Sequence, residues 1–132
     1  MLFPFAWTAL VTLAALVVYI ATMMRVGRLR EREGVKAPST DGSPDFNRAY
    51  RVQMNTIEQI VPFVPALWMF SAMWGDRWGA LVGVVWPIGR AIYARSYWRA
   101  AEARGPGFMI GAVSTIVLLV GTLIGALVRV TM

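Results

Sequence analysis

The chain opens on a long apolar run. Residues 1–24 (MLFPFAWTALVTLAALVVYIATMM) contain no charged side chain. A helix that crosses a bilayer needs about 20 apolar residues, so this run predicts the first of four spans. A cleaved leader has a basic start and a shorter apolar core. This segment has neither, and it reads as a permanent helix. Residues 25–45 (RVGRLREREGVKAPSTDGSPD) are polar. Their first part extends helix one by about two turns, and Gly34, Pro38, Gly42, Ser43 and Pro44 then predict a loop. Asp45 is the expected N-cap of the next helix.

Span two is predicted from about Phe46 to Gly75. Its first half carries Arg48, Arg51 and Glu58, whereas residues 59–75 (QIVPFVPALWMFSAMWG) carry no charge. Pro62 and Pro65 predict a kink, which membrane helices tolerate when neighbours satisfy the freed carbonyls. Gly75-Asp76-Arg77 reads as a tight turn. Span three starts near Trp78, stays uncharged to Gly89, and then carries Arg90, Arg95, Arg99 and Arg104. A helix over 78–103 would be about 39 Å long at ~1.5 Å per residue. Gly105-Pro106-Gly107 is expected to break it. Span four, Phe108–Val128, is uncharged. Gly79 with Gly83, and Gly121 with Gly125, are small-xxx-small pairs, read as close helix packing within one subunit. Short connections predict an all-α, antiparallel four-helix bundle.

Composition changes the picture by naming the solvent. The 132 residues are 58% apolar and only 15% charged, against about 25% charged in soluble domains. Small domains leave much of their surface exposed, so lipid is the expected solvent. The length predicts a single domain over 1–132. The net charge of +6 comes from 13 basic and 7 acidic residues. Region 25–51 holds seven of the basic residues and region 90–104 four, both on one side of a four-span bundle. The charge rule therefore puts regions 25–51 and 90–107 in the cytoplasm and both termini opposite. A nucleic-acid partner would need a basic face on a soluble fold and is not expected. Cys and His are both absent, so a thiol must arrive with a ligand and any base is not imidazole. No metal-ligand spacing, phosphate-cradling Gly loop or Ser/His/Asp arrangement occurs.

Two polar stripes stand out. Arg51, Asn55 and Glu58 are spaced four and three, within about 60° on one helix face. A guanidinium and a carboxylate on one stripe can hold a zwitterion, because Arg pairs a carboxylate and Glu accepts from an ammonium group. An intrahelical ion pair with helix–helix hydrogen bonds is the equally open bland reading. Arg90, Tyr93, Tyr97 and Arg104, spaced three, four and seven, are expected to share one face of span three. A cation with two phenols suits an anionic or thiol-bearing ligand; the bland reading is interfacial anchoring. Anchoring is preferred for Arg95 and Arg99. A solvated helix end suits most of Arg25, Arg28, Arg30, Arg32, Glu31 and Glu33. Trp68, Trp74, Trp78, Trp86 and Trp98 read as an interfacial belt or lipid-facing surface.

The segment Phe46-Asn47-Arg48-Ala49-Tyr50-Arg51-Val52-Gln53-Met54-Asn55-Thr56-Ile57-Glu58, with Gly89-Arg90-Ala91-Ile92-Tyr93-Ala94-Arg95-Ser96-Tyr97 and Arg104, resembles the MAPEG superfamily, the membrane-associated proteins in eicosanoid and glutathione metabolism. The likeness covers the whole chain and is nearest the branch of microsomal glutathione transferase 2 and leukotriene C synthase. It implies a homotrimer with glutathione as co-substrate between neighbouring subunits, and a role in detoxification. Arg51 and Gln53 would meet a glutathione carboxylate; Asn55, Glu58 and Tyr93 the γ-glutamyl end; Arg90 and Tyr97 the tripeptide. Arg30 would meet a ligand carboxylate near the mouth, and Arg104, with Arg30 as a second electrostatic source, would stabilise the thiolate. Gln59, Ile116 and Gly105-Pro106-Gly107-Phe108 depart from the leukotriene-forming pattern. They point to a transferase for small apolar electrophiles, or a glutathione-dependent peroxidase acting on lipid hydroperoxides. A non-catalytic lipid-binding or scaffold protein of the same fold is the alternative. A small transporter with Glu58 as coupling carboxylate is the third.

Overall fold

The computed structural model describes residues 4–132 and contains helices and loops only. Helix α1 (Ala6–Glu33) runs two turns past the apolar segment and ends at Gly34, whose φ of 68° is the left-handed value that glycine adopts freely. Helix α2 (Pro44–Trp74) follows the loop. Its cap is not Asp45 but Ser43: the Ser43 hydroxyl accepts from the Phe46 amide at 3.1 Å, and Pro44 occupies the first turn. A proline there gives up only an amide that no helix carbonyl needs. Asp45 sits in that first turn and pairs with Arg48. Helix α2 continues through Pro62 and Pro65, which withdraw donors from the Glu58 and Val61 carbonyls.

The third rod is two helices, α3 (Asp76–Gly83) and α4 (Val85–Arg99), joined at Val84. Val84 keeps helical angles, φ −61° and ψ −22°, so the ladder is interrupted but the direction is not. Pro87 lacks the amide that would bond the Gly83 carbonyl four residues back. The rod ends at Ala100, which is extended (φ −155°, ψ 127°), and a 3-10 turn follows over Ala101–Arg104. Gly105-Pro106-Gly107 is therefore not the breaker. It opens the last helix, α5 (Gly105–Thr131), with proline in its first turn. Helices α1, α2 and the segment Ala101–Thr131 are each long and apolar enough to cross a membrane.

Contacts at the two ends fix the layout. At one end Arg48 Nε donates to the Trp98 carbonyl at 3.2 Å, joining the start of α2 to the end of α4. At the other, the Asp76 carboxylate accepts from the amides of Trp7 and Thr8 at 3.0 and 2.7 Å, capping α1 from another helix. Arg129 Nη2 donates to the Met73 carbonyl at 2.6 Å at this same end. The start of α1 and the end of α5 thus lie beside Gly75, the single non-helical residue between α2 and α3 where a turn over Gly75-Asp76-Arg77 was expected, and the two arginine-rich regions lie together at the opposite end.

The middle of the bundle is built on Phe63, Leu67, Trp86 and Leu118, all fully buried. Phe63 and Trp86 stack with centroids 4.6 Å apart and planes 9° apart. This corrects the belt assignment of Trp86: it fills the core. Trp74 and Trp78 are exposed as expected. In lipid no hydrophobic force pulls helices together, so close approach of small residues matters more. A Cβ on Gly79 would lie 1.8 Å from Ser71 Oγ, and one on Gly121 would lie 2.3 Å from the Phe70 ring. The small-xxx-small pairs do pack within the chain. The outer faces are apolar: Leu10, Leu13, Val17, Ile116, Leu123 and Leu127 are each more than half exposed.

Candidate functional site

Helix α2 starts at the Ser43 cap, and its packing turns the edge that carries Arg51, Asn55 and Glu58 toward α4 and the 3-10 turn. Arg51 and Asn55 line a cavity of ≈ 250 Å³ with Tyr93, Tyr97, Arg104 and Phe108. Both predicted stripes therefore meet. Arg104 reaches the cavity by a different route from the one expected. It is not on the helix of Tyr93 and Tyr97, because the chain turns at Ala100. The turn brings it back, with its guanidinium 5.6 Å from the Tyr97 ring centre. Phe108, at the start of α5, closes the wall 6.3 Å from the Tyr93 ring.

The polar groups form a chain. Arg51 Nη1 stands 3.9 Å from Glu58 Oε1. Asn55 Nδ2 donates to Glu58 Oε2 at 3.2 Å. Arg90 Nη2 donates to Asn55 Oδ1 at 3.1 Å and to Thr56 Oγ1 at 2.9 Å. The Arg51–Glu58 pair is long, and each partner is about half exposed (59% and 49%). Such a pair is worth at most about 1 kcal/mol, so a zwitterion can displace it and take both charges as partners. Arg90 differs. It is 1% exposed and its guanidinium lies 3.9 Å from the Tyr93 ring centre. A cation this deep needs partners, and here they are a phenol face, a hydroxyl and an amide oxygen. Arg90 stands behind the cavity wall and orients Asn55 and Tyr93.

The structure gathers Arg51, Asn55, Glu58, Arg90, Tyr93, Tyr97 and Arg104. It does not gather Arg30 or Gln53. Arg30 Nη1 donates to the Ser39 carbonyl at 2.7 Å, and its guanidinium lies 5.0 Å from the Phe46 ring centre. Gln53 is two residues from both Arg51 and Asn55, and so about 160° from them around α2. Three contributors were missed in the sequence. Thr56 anchors Arg90, and a hydroxyl beside Asn55 in an apolar helix was the available clue. Phe108 carried no distinguishing sign. Gly107, read as part of a break, holds α5 against α4: a Cβ there would lie 2.3 Å from the Tyr93 amide nitrogen.

The sequence matches the model of the MAPEG family over residues 8–124. It is 43% identical to the uncharacterized protein sll1147 of Synechocystis sp. over 92% of this chain and 88% of that one. It is 35% identical to human microsomal glutathione S-transferase 2, covering 79% of this chain and 69% of that protein. Leukotriene C4 synthase of Cavia porcellus is 33% identical over 75% of this chain and 66% of the synthase. The match spans all four rods, both polar stripes and Arg104, and the chain belongs to the MAPEG family of membrane helical bundles.

Proposed function

We propose that this chain is a membrane-embedded glutathione transferase that holds glutathione as the thiolate and adds it to small apolar electrophiles. The observation that carries the reading is the cavity where Arg51 and Asn55 from α2 face Tyr93, Tyr97 and Arg104. Arg51 takes a carboxylate, Glu58 and Asn55 take the γ-glutamyl ammonium end, and Tyr93 and Tyr97 flank the tripeptide. Arg104 faces the sulfur. The similarity to proteins named as glutathione S-transferases supports the same ligand. In the reaction the thiolate lone pair forms the new C–S bond while the leaving group departs with its electron pair. With a lipid hydroperoxide, the thiolate attacks the terminal oxygen and the O–O bond breaks. The alkoxide takes a proton, and a second glutathione closes the disulfide with loss of water.

The assembled form in this reading is a homotrimer with the ligand between neighbours. Arg30 and Gln53, which do not join the cavity of their own chain, are then available to a neighbour's ligand. The test is calorimetric titration of the purified protein with glutathione. Saturable binding is expected. Arg51→Ala and Glu58→Ala should each weaken it by about 1–2 kcal/mol, roughly 5- to 30-fold, below the ~2–5 kcal/mol of a fully buried pair because both groups are half exposed. No uptake by wild type at millimolar glutathione overturns the reading. Binding without thiolate formation or turnover of any electrophile leaves the non-catalytic lipid-binding alternative.

A further inference from the structure

The arginine-rich end of the bundle holds a second cavity. Tyr97 lines the first; Trp98, about 100° further round α4, lines the second. The second measures ≈ 540 Å³ and lies between Arg25, Arg28 and Arg32 of α1, Asp45 of α2 and Trp98 of α4. No residue lines both. Arg25, Arg28 and Arg32 are spaced three and four, so they form one face of α1. Arg30 is off that face and is bound to the loop.

The wall carries unused donors. The Arg25 guanidinium lies 4.5 Å from the Trp98 ring centre. Arg25 Nε and Trp98 Nε1 are both buried, and neither has an acceptor among the described residues. A buried donor without an acceptor is costly, and each such atom in a native structure calls for a partner. Asp45, the only acid among the described residues of the wall, is already paired with Arg48. Three arginines and a tryptophan therefore line one space, with two buried donors just behind its wall and the acid of that wall already paired. That is a site for a multi-oxygen anion such as a phosphate.

Depth and surroundings select the source. Arg25 is the first charge after 24 uncharged residues, so the cavity stands where the apolar span gives way to headgroups. Val17, Ala21, Met24 and Arg28, spaced four, three and four, form one stripe of α1 that runs from the apolar span to the cavity, and Val17 and Met24 are 63% and 51% exposed. An acyl chain can lie along that strip while its phosphate enters the cavity. A zwitterionic headgroup would bring its own cation against three arginines. Basic pockets between membrane helices take anionic headgroups. We propose that Arg25, Arg28, Arg32 and Trp98 bind the headgroup phosphate of an anionic phospholipid, at a site separate from the candidate glutathione cavity.

The test titrates the purified full chain with short-chain phosphatidylglycerol, short-chain phosphatidylcholine and inorganic phosphate, with bound lipid counted by native mass spectrometry. Phosphatidylglycerol should bind in preference to phosphatidylcholine, and inorganic phosphate at equal concentration should not displace it. The double variant Arg28→Gln/Arg32→Gln should lose about 25-fold in phosphatidylglycerol affinity, about fivefold for each arginine. Both residues are exposed, so folding is not at stake. Trp98→Phe keeps the ring under Arg25, removes the indole donor, and should weaken binding several-fold. Arg95→Gln/Arg99→Gln removes equal charge from exposed positions outside the cavity on the same helix and should change affinity less than about twofold. Glutathione binding should be unaltered in every variant. Equal binding of the two lipids, or equal loss in the Arg95/Arg99 pair, overturns the proposal. Competition by inorganic phosphate, with no preference for the lipid, assigns the cavity to a soluble anion instead.

Discussion

Arg104 stands in the 3-10 turn with its Nη1 on the Ala101 carbonyl at 3.0 Å and its guanidinium near the Tyr97 ring. It is exposed, so it can turn toward a ligand without breaking a buried network. Arg90 is the opposite case, fixed by Asn55, Thr56 and Tyr93 and shut off from the cavity. The two arginines therefore divide the work: Arg90 positions, and Arg104 is free to meet charge that develops on the ligand. A thiol of ordinary pKa near 8.5 is about 3% ionised at pH 7, and lowering it by about two units, worth roughly 2.7 kcal/mol, raises the thiolate ~25-fold. Arg104→Ala should thus cut turnover at pH 7 by about that factor while glutathione affinity at that pH falls only about fourfold. The variant's rate should climb with pH up to the ordinary thiol pKa, where wild type is already flat. Arg104→Lys should recover part of the rate, since the charge remains but the planar fork is lost. Wild-type turnover of an aryl halide by Arg104→Ala would remove Arg104 from the chemistry.

The helices place these residues, and the placement depends on where each helix starts and stops. Gly107 is the tightest point between α4 and α5 near the site, since a Cβ would lie 2.3 Å from the Tyr93 amide nitrogen and 2.6 Å from its Cα. Backbone cannot swing aside as a side chain can. Gly107→Ala should therefore push the two helices apart, cost about 1–3 kcal/mol as overpacking does, and weaken glutathione binding through Tyr93. A thermal melt and a titration on the same preparation check both, and an unchanged melting temperature would contradict the close approach. Gly107 also shows what the sequence could tell. Hydrophobic runs and arginine blocks located the rods, and helical spacing identified the stripes of Arg51, Asn55, Glu58 and of Arg90, Tyr93, Tyr97. These depend on composition and period, which are local. The stops were less legible. Gly-Pro-Gly is a good break and an equally good helix start, and only the packing against Tyr93 decides between them. Ser43 and Asp45 can both cap, and the choice falls to Ser43 because Pro44 fits the first turn. Trp86 could anchor at an interface or fill a core; its depth depends on Phe63, 23 residues away in sequence.

At the scale of the whole molecule the basic residues are sorted by end. Eleven of the 13 lie in regions 25–51 and 90–104, which the Arg48–Trp98 bond and the Arg25–Trp98 stack bring together. The remaining two, Arg77 and Arg129, lie at the other end, beside Asp76 and bound to the Met73 carbonyl. Basic residues near span ends stay on the cytoplasmic side because moving them across is opposed during insertion. The asymmetry predicts that the candidate glutathione cavity opens toward the cytoplasm, where its mouth shares an end with the arginine-rich loop. The chain contains no cysteine, so a single introduced one reports its side without a background. Ser39 lies in the exposed loop after α1, and Arg77 is exposed at the opposite end. Arg77 is the better probe there than Asp76, whose carboxylate caps α1 through the Trp7 and Thr8 amides. In intact cells a membrane-impermeant maleimide should label Arg77→Cys at once and Ser39→Cys only after the membrane is opened. The reverse order would turn the bundle over and place both cavities on the outer side, away from the leaflet where the charge rule puts their arginines.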